Sequence, residues 1–237
     1  ALSPAPGGAE VQNPHRIVSH AIEWVDSLAV GQPFMMQVSF PEPHNPYQVP
    51  EEYFDLFPPS VIPDPRVGEE FLATADFRWQ HLRTIGEAGD PGYAQNMPRA
   101  RSNYLGMLRF IDDQIARLVA HLTERGLLDD TLLIVTSDHG LVRKGAGVPD
   151  ILMRIPLVAH GYGVAIRPHA AEACVSLADL LPTVCEVMGV RAPAAVQGRS
   201  LVRLFAGSDS SGFDSAYGEQ GIGGRRFSGT DLRIGDV

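Results

Sequence analysis

TLLIVTSDHG, residues 131–140, reads as a buried strand that ends in chemistry. Leu132, Leu133, Ile134 and Val135 form a continuous apolar run of the kind found where a strand is covered on both faces, as in a parallel sheet with helices on each side. A run this short also fits a buried turn of helix. The next residues favour the strand: Thr136 and Ser137 suit a strand end, and Asp138 and His139 place a carboxylate and an imidazole before a permissive Gly140. In open α/β sheets, ligands sit at the carboxyl ends of strands. Taken alone, Asp-His-Gly is equally well a turn cap beside a surface histidine.

Upstream of this strand, Tyr104, Leu108, Ile111, Ile115, Leu118 and Leu122 step by three or four residues, which predicts a helix over 101–125 stopped by Gly126. Asp112 and Asp113 on it are neighbours that point in different directions, so they read as surface charges and not as a metal pair. Asn13 as cap and Pro14 at the first position open an earlier helix through Ile17, Ala21, Ile22, Val25 and Leu28 towards Gly31. Residues 33–40, PFMMQVSF, have strand length and run into PEPHNPYQVP, where Pro43 and Pro46 stiffen the loop that carries His44. An irregular stretch packed by Tyr53, Phe54 and Phe57 is expected over 51–65, and a helix over 69–87. Downstream of the opening strand comes a polar, Gly-rich connection over 141–150 containing Arg143 and Lys144, then a second buried strand over 155–159. Ser176 with Asp179 has the pattern of a capping box before a helix to Gly189, with Pro182 predicting a kink or restart. Beyond Gly207 the Gly and Ser content marks a boundary or a flexible loop.

The 237 residues and 44% hydrophobic content suit one sizeable globular unit. With 19 basic against 28 acidic residues, the net charge of −9 argues against nucleic acid or an anionic membrane as a partner. Cys174 and Cys185 are too few for a zinc framework or a disulfide scaffold. No apolar run reaches membrane-spanning length and no signal peptide is visible. Because the chain starts at Ala1 in a Pro/Gly-rich segment, a natural start upstream is expected, and compartment and oligomeric state stay open.

Two strand ends thus carry His44 and Asp138-His139, with Lys144 just beyond. A carboxylate and a neutral imidazole can ligate a divalent cation, while a second histidine and a lysine can hold a tetrahedral anion and protonate a leaving oxygen. The ordered motifs resemble the type I sulfatases, in the alkaline phosphatase superfamily that also holds phosphonate monoester hydrolases and phosphodiesterases. The motifs are Phe40-Pro41-Glu42-Pro43-His44-Asn45-Pro46-Tyr47, then Asn103-Tyr104 and Ile111-Asp112, Gly126 to Thr131, and Ser137 to Gly140. They continue with Lys144-Gly145, Arg154 to Leu157, Asp179 to Thr183 and Gly198 to Leu201. The resemblance covers about Asn13 to Phe205. It implies an α/β fold, an alkaline-phosphatase-like mixed, mostly parallel sheet flanked by helices and incomplete at its N-terminus. Residues 1–206 would be the C-terminal part of the catalytic domain, and 207–237 a loop and the start of a truncated subdomain.

By position, the resemblance makes Asp138 and His139 metal ligands and makes His44 and Lys144 the pair that contacts the sulfate or phosphate group. It implies a small-molecule sulfate, phosphate or phosphonate ester as substrate. The family's metal is often calcium. Here His139 stands where many sulfatases have Asn, and a nitrogen ligand suits manganese, zinc or iron better. The family's formylglycine nucleophile, made in Cys-x-Pro-x-Arg, and its early Asp-Asp pair are absent from this sequence, and neither cysteine has that context. A sulfatase cut at both ends and inactive alone is therefore expected, with a non-catalytic remnant as the reading from another class.

Overall fold

The computed structural model describes residues 3–63, 69–75, 77–89, 92–140, 150–162, 169–207 and 214–218. Its contacts divide the chain into two compact units, Ala1–Arg125 and Gly126–Val237. In the first unit, α1 spans Asn13–Asp26, so the expected cap residue is already helical and Gln12 holds the cap position without a side-chain cap bond. The two amides bond elsewhere. Asn13 donates to Glu42 at 3.3 Å, and Gln12 donates to the carbonyls of Pro6 and Gly8. Pro14, Val18, Ala21 and Val25 form the buried stripe of α1, one step round from Ile17 and Ile22, which are half-buried.

After α1 come one turn of helix, α2 (Glu51–Phe54), then α3 (Glu69–Thr74), α4 (Phe77–Gly89) and the 32-residue α5 (Tyr93–Glu124). The single helix expected over 69–87 is thus two. The helix expected over 101–125 starts eight residues earlier, with Pro98 inside its early turns. Its buried stripe also differs from the apolar pattern. Met107, Phe110, Leu118 and Leu122 are buried together with Ser102, Asn103 and Gln114, whereas Leu108 is 41% exposed. The polar members are buried because they have partners. Gln114 accepts from Arg117 at 3.0 Å, and Arg117 reaches across to the Ser19 hydroxyl of α1 at 2.6 Å.

α2 lies on α5 through contacts that need a small residue. A Cβ on Gly106 would sit 2.7 Å from the Tyr53 carbonyl oxygen. The Tyr53 ring packs 5.0 Å from Phe110 and its hydroxyl donates to Asp113 at 3.0 Å, while Arg109 pairs with the same carboxylate at 2.7 Å. Asp113 is therefore a structural acceptor, where the sequence pattern reads a surface charge. The stretch 33–40 keeps the alternation of a strand, with Phe34, Met36, Val38 and Phe40 half-buried and Met35, Gln37 and Ser39 exposed. It forms no ladder, however, with any described residue.

In the second unit, β1 (Leu132–Thr136) pairs antiparallel with β2 (Leu157–Gly161), Leu132 opposite Gly161 and Thr136 opposite Leu157. The second strand lies two residues later than its apolar run predicts, and neither strand is buried as expected. Leu132 to Val135 are half-buried and Val158 is 59% exposed, because this two-stranded ladder is not covered on both faces among the described residues. The pair is antiparallel because the two legs are tied side by side where the chain reverses. Thr136 Oγ1 donates to the Pro156 carbonyl at 2.9 Å, and the Gly140 N–H donates to Leu152 O at 2.7 Å, next to the short α6 (Asp150–Met153). A mixed sheet accommodates such a pair.

The Ser176–Asp179 capping box forms as the spacing predicts and leads into α7 (Leu180–Val187). Of the kink or restart expected at Pro182, the structure shows a restart. A 3-10 turn over Leu177–Asp179 gives way to α7 at Leu180, which puts Pro182 in the first turn, where a missing N–H is tolerated. Asp179, 5% exposed, accepts from Ser176 N at 2.8 Å and from Arg199 N at 2.7 Å. Thr183 Oγ1 accepts from Leu201 N at 2.8 Å. These bonds seat Leu201 and Leu204 of the segment ending in α8 (Val202–Phe205), against Leu157, Val175 and Leu180. The Asp-Leu-Leu-Pro-Thr and Gly-x-Ser-Leu motifs are thus two halves of one clamp.

These contacts have two measurable outcomes. Burial, and then the hydrogen bond to Asp113, push the Tyr53 hydroxyl up to about 12. The folded state keeps this proton when an unfolded tyrosine has lost it. The stability linked to it is therefore intact below about pH 10 and is lost as pH rises towards about 12. The tyrosinate absorbance difference between the chain and its Tyr53→Phe variant should titrate in that upper range, and Asp113→Ala should lower its midpoint. In the second unit, Asp179→Ala removes two charge-assisted bonds, each worth about 1.5–3 kcal/mol. Hydrogen exchange of the Ser176 and Arg199 amides should accelerate by at least about tenfold.

Candidate active site

Beyond β1 the chain folds tightly on itself. The Ser137 hydroxyl donates to the His139 carbonyl at 2.8 Å, and the His139 N–H donates to Asp138 Oδ1 at 2.9 Å. Gly140 is required by space and not by backbone angle. A Cβ there would collide with the main-chain oxygen of Ile151, and Gly140 is not among the glycines with positive φ. The expected permissive residue is thus a close-approach residue, which lets the Asp-His turn close on the 151–152 backbone.

The ring of His139 is fixed by its own main chain. Nδ1 lies 2.6 Å from the Gly140 carbonyl oxygen. A carbonyl only accepts, so this geometry places a proton on Nδ1 and leaves Nε2 as the other ring nitrogen. Nε2 in turn lies 3.5 Å from Asp138 Oδ2. A carboxylate oxygen this close to a ring nitrogen calls for positive charge between them, either a proton or a cation. Two donors each about 2.1 Å from a tetrahedral ion stand about 3.4 Å apart, so the observed spacing fits one shared cation. The Asp138 side chain is 81% exposed and that of His139 26%, which leaves the carboxylate open to further ligands.

His44 repeats this arrangement in the first unit. Its N–H donates to the Pro41 carbonyl at 3.1 Å, and its Nδ1 lies 2.7 Å from the Asn45 carbonyl oxygen, leaving Nε2 presented on an exposed ring. The prolines that stiffen the loop sit in cis peptides, Glu42–Pro43 and Asn45–Pro46. A second restraint was invisible in the pattern of prolines. Fully buried Asn103 of α5 donates to the Tyr47 carbonyl at 2.8 Å, and the Tyr104 ring meets the Tyr47 ring edge-on at 6.4 Å. The signal available in the sequence was the Asn103-Tyr104 pair itself.

The structure thus brings Asp138 and His139 together and presents His44 on its own loop. Lys144 lies outside the described residues. Among the described residues no cluster of three or more His, Cys, Asp or Glu side chains is arranged to hold a metal. A cavity of about 580 Å³ in the first unit is lined by Glu52, Tyr53, Leu56, Phe57, Arg109 and Asp113. It contains none of the expected site residues. Tyr53, Arg109 and Asp113 within it already bond one another.

The family profile described as Sulfatase matches residues 11–190. An arylsulfatase of Clostridium perfringens is 27% identical over 218 residues, covering 87% of this chain and 44% of that protein. The multifunctional alkaline phosphatase superfamily protein PehA of Trinickia caryophylli is 31% identical over 201 residues, 74% of this chain and 38% of its own length. Among solved structures, the phosphonate monoester hydrolase of Agrobacterium radiobacter superposes with a TM-score of 0.81 at 27% identity, covering 91% of this chain and 46% of that one. The chain therefore has an alkaline-phosphatase-like fold and spans less than half the length of these relatives.

The ring assignments are open to direct test. Nitrogen-15 spectra of the chain should show the proton on Nδ1 in both His44 and His139. A proton on Nε2 with Nδ1 bare, in either ring, would contradict the geometry.

Proposed function

The chain belongs to the sulfatase family, and on that premise we propose that it forms part of a sulfuric ester hydrolase. Asp138 and His139 are two ligands of a divalent metal, and His44 and Lys144 contact the sulfate group. The observation that carries this reading is the His139 ring, tied through Nδ1 to a carbonyl and turning its Nε2 towards Asp138 Oδ2 at 3.5 Å. Metal-bound histidines commonly hold their other ring nitrogen in this way.

When bound, the metal supplies Lewis-acid polarisation of a sulfate oxygen. The chain's own residues do the rest of what can be assigned to it. Asp138 and His139 would hold the metal at the end of β1. Asn45 O accepts from His44 Nδ1, so Nε2 is the atom that faces the departing alcohol. In its doubly protonated form the ring would give its Nε2 proton to that oxygen and keep the Nδ1 proton hydrogen-bonded to Asn45 O. Lys144 adds positive charge towards the anion. The nucleophile comes from outside these residues, since neither Cys174 nor Cys185 stands in a Cys-x-Pro-x-Arg context. The metal is calcium by family habit or, given the nitrogen of His139, manganese or another transition ion.

Hydrolysis of phosphonate monoesters or phosphodiesters is the second reading, favoured by the 0.81 TM-score to a phosphonate monoester hydrolase over 91% of the chain. The two separate by rates. The full-length protein should hydrolyse an aryl sulfate with a higher kcat/KM than a phenylphosphonate ester, and the reverse order would transfer the proposal to the second reading. In the chain itself, Mn²⁺ should broaden the ring signals of His139 before those of exposed histidines such as His20. Asp138→Asn should weaken that effect by about tenfold or more, as removal of a carboxylate ligand requires.

A further inference from the structure

We propose that Asn103 is a positioning residue for His44, acting through the main chain of the loop; the functional part of this rests on the reading of His44 as a contact to the reacting group. Asn103 is fully buried, and its Nδ2 donates to the Tyr47 carbonyl at 2.8 Å. Its Oδ1 is buried without a hydrogen-bond partner among the described residues. An amide satisfied at one end only is a poor way to stabilise a helix packing face, where a leucine of similar size carries no unpaired acceptor. What the amide secures is the Tyr47 carbonyl.

From that carbonyl the restraint runs back along a short, stiff path. Gln48 N–H donates to the Pro46 carbonyl at 2.8 Å, closing a tight turn around Tyr47. The Pro46 ring restricts its own φ. The Asn45 carbonyl, which accepts the His44 Nδ1 proton at 2.7 Å, directly precedes that ring. Fixing Tyr47 therefore fixes the direction of the Asn45 carbonyl, and this carbonyl decides which nitrogen of His44 carries the proton. Tyr104, edge-on to the Tyr47 ring, braces the same point from the next residue of α5. Ser102, equally buried, has a different role: its hydroxyl faces Arg99 at 3.5 Å and bonds nothing in the loop.

The test uses Asn103→Asp, which keeps the size and removes the donor, and Asn103→Leu, which guards against a buried carboxylate that fails to fold. Tyr104→Leu weakens the brace, and Ser102→Ala controls for general loosening of α5. Nitrogen-15 spectra of the 237-residue chain report the His44 ring proton, and steady-state kinetics of the full-length protein report catalysis, with melting temperatures for each variant. The Asn103 variants should shift the His44 proton from Nδ1 towards Nε2. They should also lower kcat on the order of ten- to a hundredfold with KM changed by less than about threefold, as misplacement of a reacting group does. Tyr104→Leu should do so more weakly and Ser102→Ala not at all. An unchanged His44 tautomer in the Asn103 variants overturns the positioning role. A shifted tautomer with unchanged kcat overturns the role of His44 in the reaction and the functional half of the proposal with it. An equal effect of Ser102→Ala reduces Asn103 to an ordinary packing residue and overturns the proposal.

Discussion

Each candidate histidine gives its Nδ1 proton to the carbonyl of the residue that comes after it, Asn45 for His44 and Gly140 for His139. A bond from a ring to the next peptide is local, but it holds only if that peptide is itself held. The two units do this by different means. Around His139, Gly140 abuts the 151–152 backbone so closely that no side chain fits, and its N–H bonds Leu152. Around His44, the loop is pinned by an amide from α5. In both cases a distant main-chain contact sets a tautomer, and the tautomer sets which atom faces outwards. This is the link from packing to chemistry in the chain.

The same logic explains why polar residues are buried in α5. Asn103, Gln114 and Arg117 join the helix to the His44 loop and to α1 through bonds that apolar contact cannot direct. Apolar burial, worth roughly 1.5–3 kcal/mol for each large side chain, sets that the helices pack. The polar bonds set the register at which they do so. In the second unit, Asp179 and Thr183 play the corresponding part by seating the 199–201 segment on the start of α7.

Much of this was legible in the sequence, and where it was not the reasons are physical. The strand into Asp138-His139, the capping box at Ser176 and the order of motifs were readable because each is local, a period or a cap within a few residues. The buried stripe of α5 was read one step off, since Ser102, Asn103 and Gln114 are polar and an apolar pattern cannot count them. The extended stretch 33–40 has a strand's alternation without a ladder among the described residues, because alternation reports which face is covered and not what lies alongside. The antiparallel direction of β1 and β2 depends on contacts of Thr136 and Gly140 twelve or more residues away, which no local window contains. Lys144 falls outside the described residues, so its part rests on the resemblance alone.

The central claim is that the nitrogen of His139 is a metal ligand alongside Asp138. It is tested most directly by the metal preference of a His139→Asn variant, which trades that nitrogen for an amide oxygen. Binding of Ca²⁺ and Mn²⁺ by the full-length protein and by the variant gives one ratio for each. The account predicts that the ratio moves towards Ca²⁺ in the variant, since the softer nitrogen donor favours the transition ion. An unchanged ratio would contradict it.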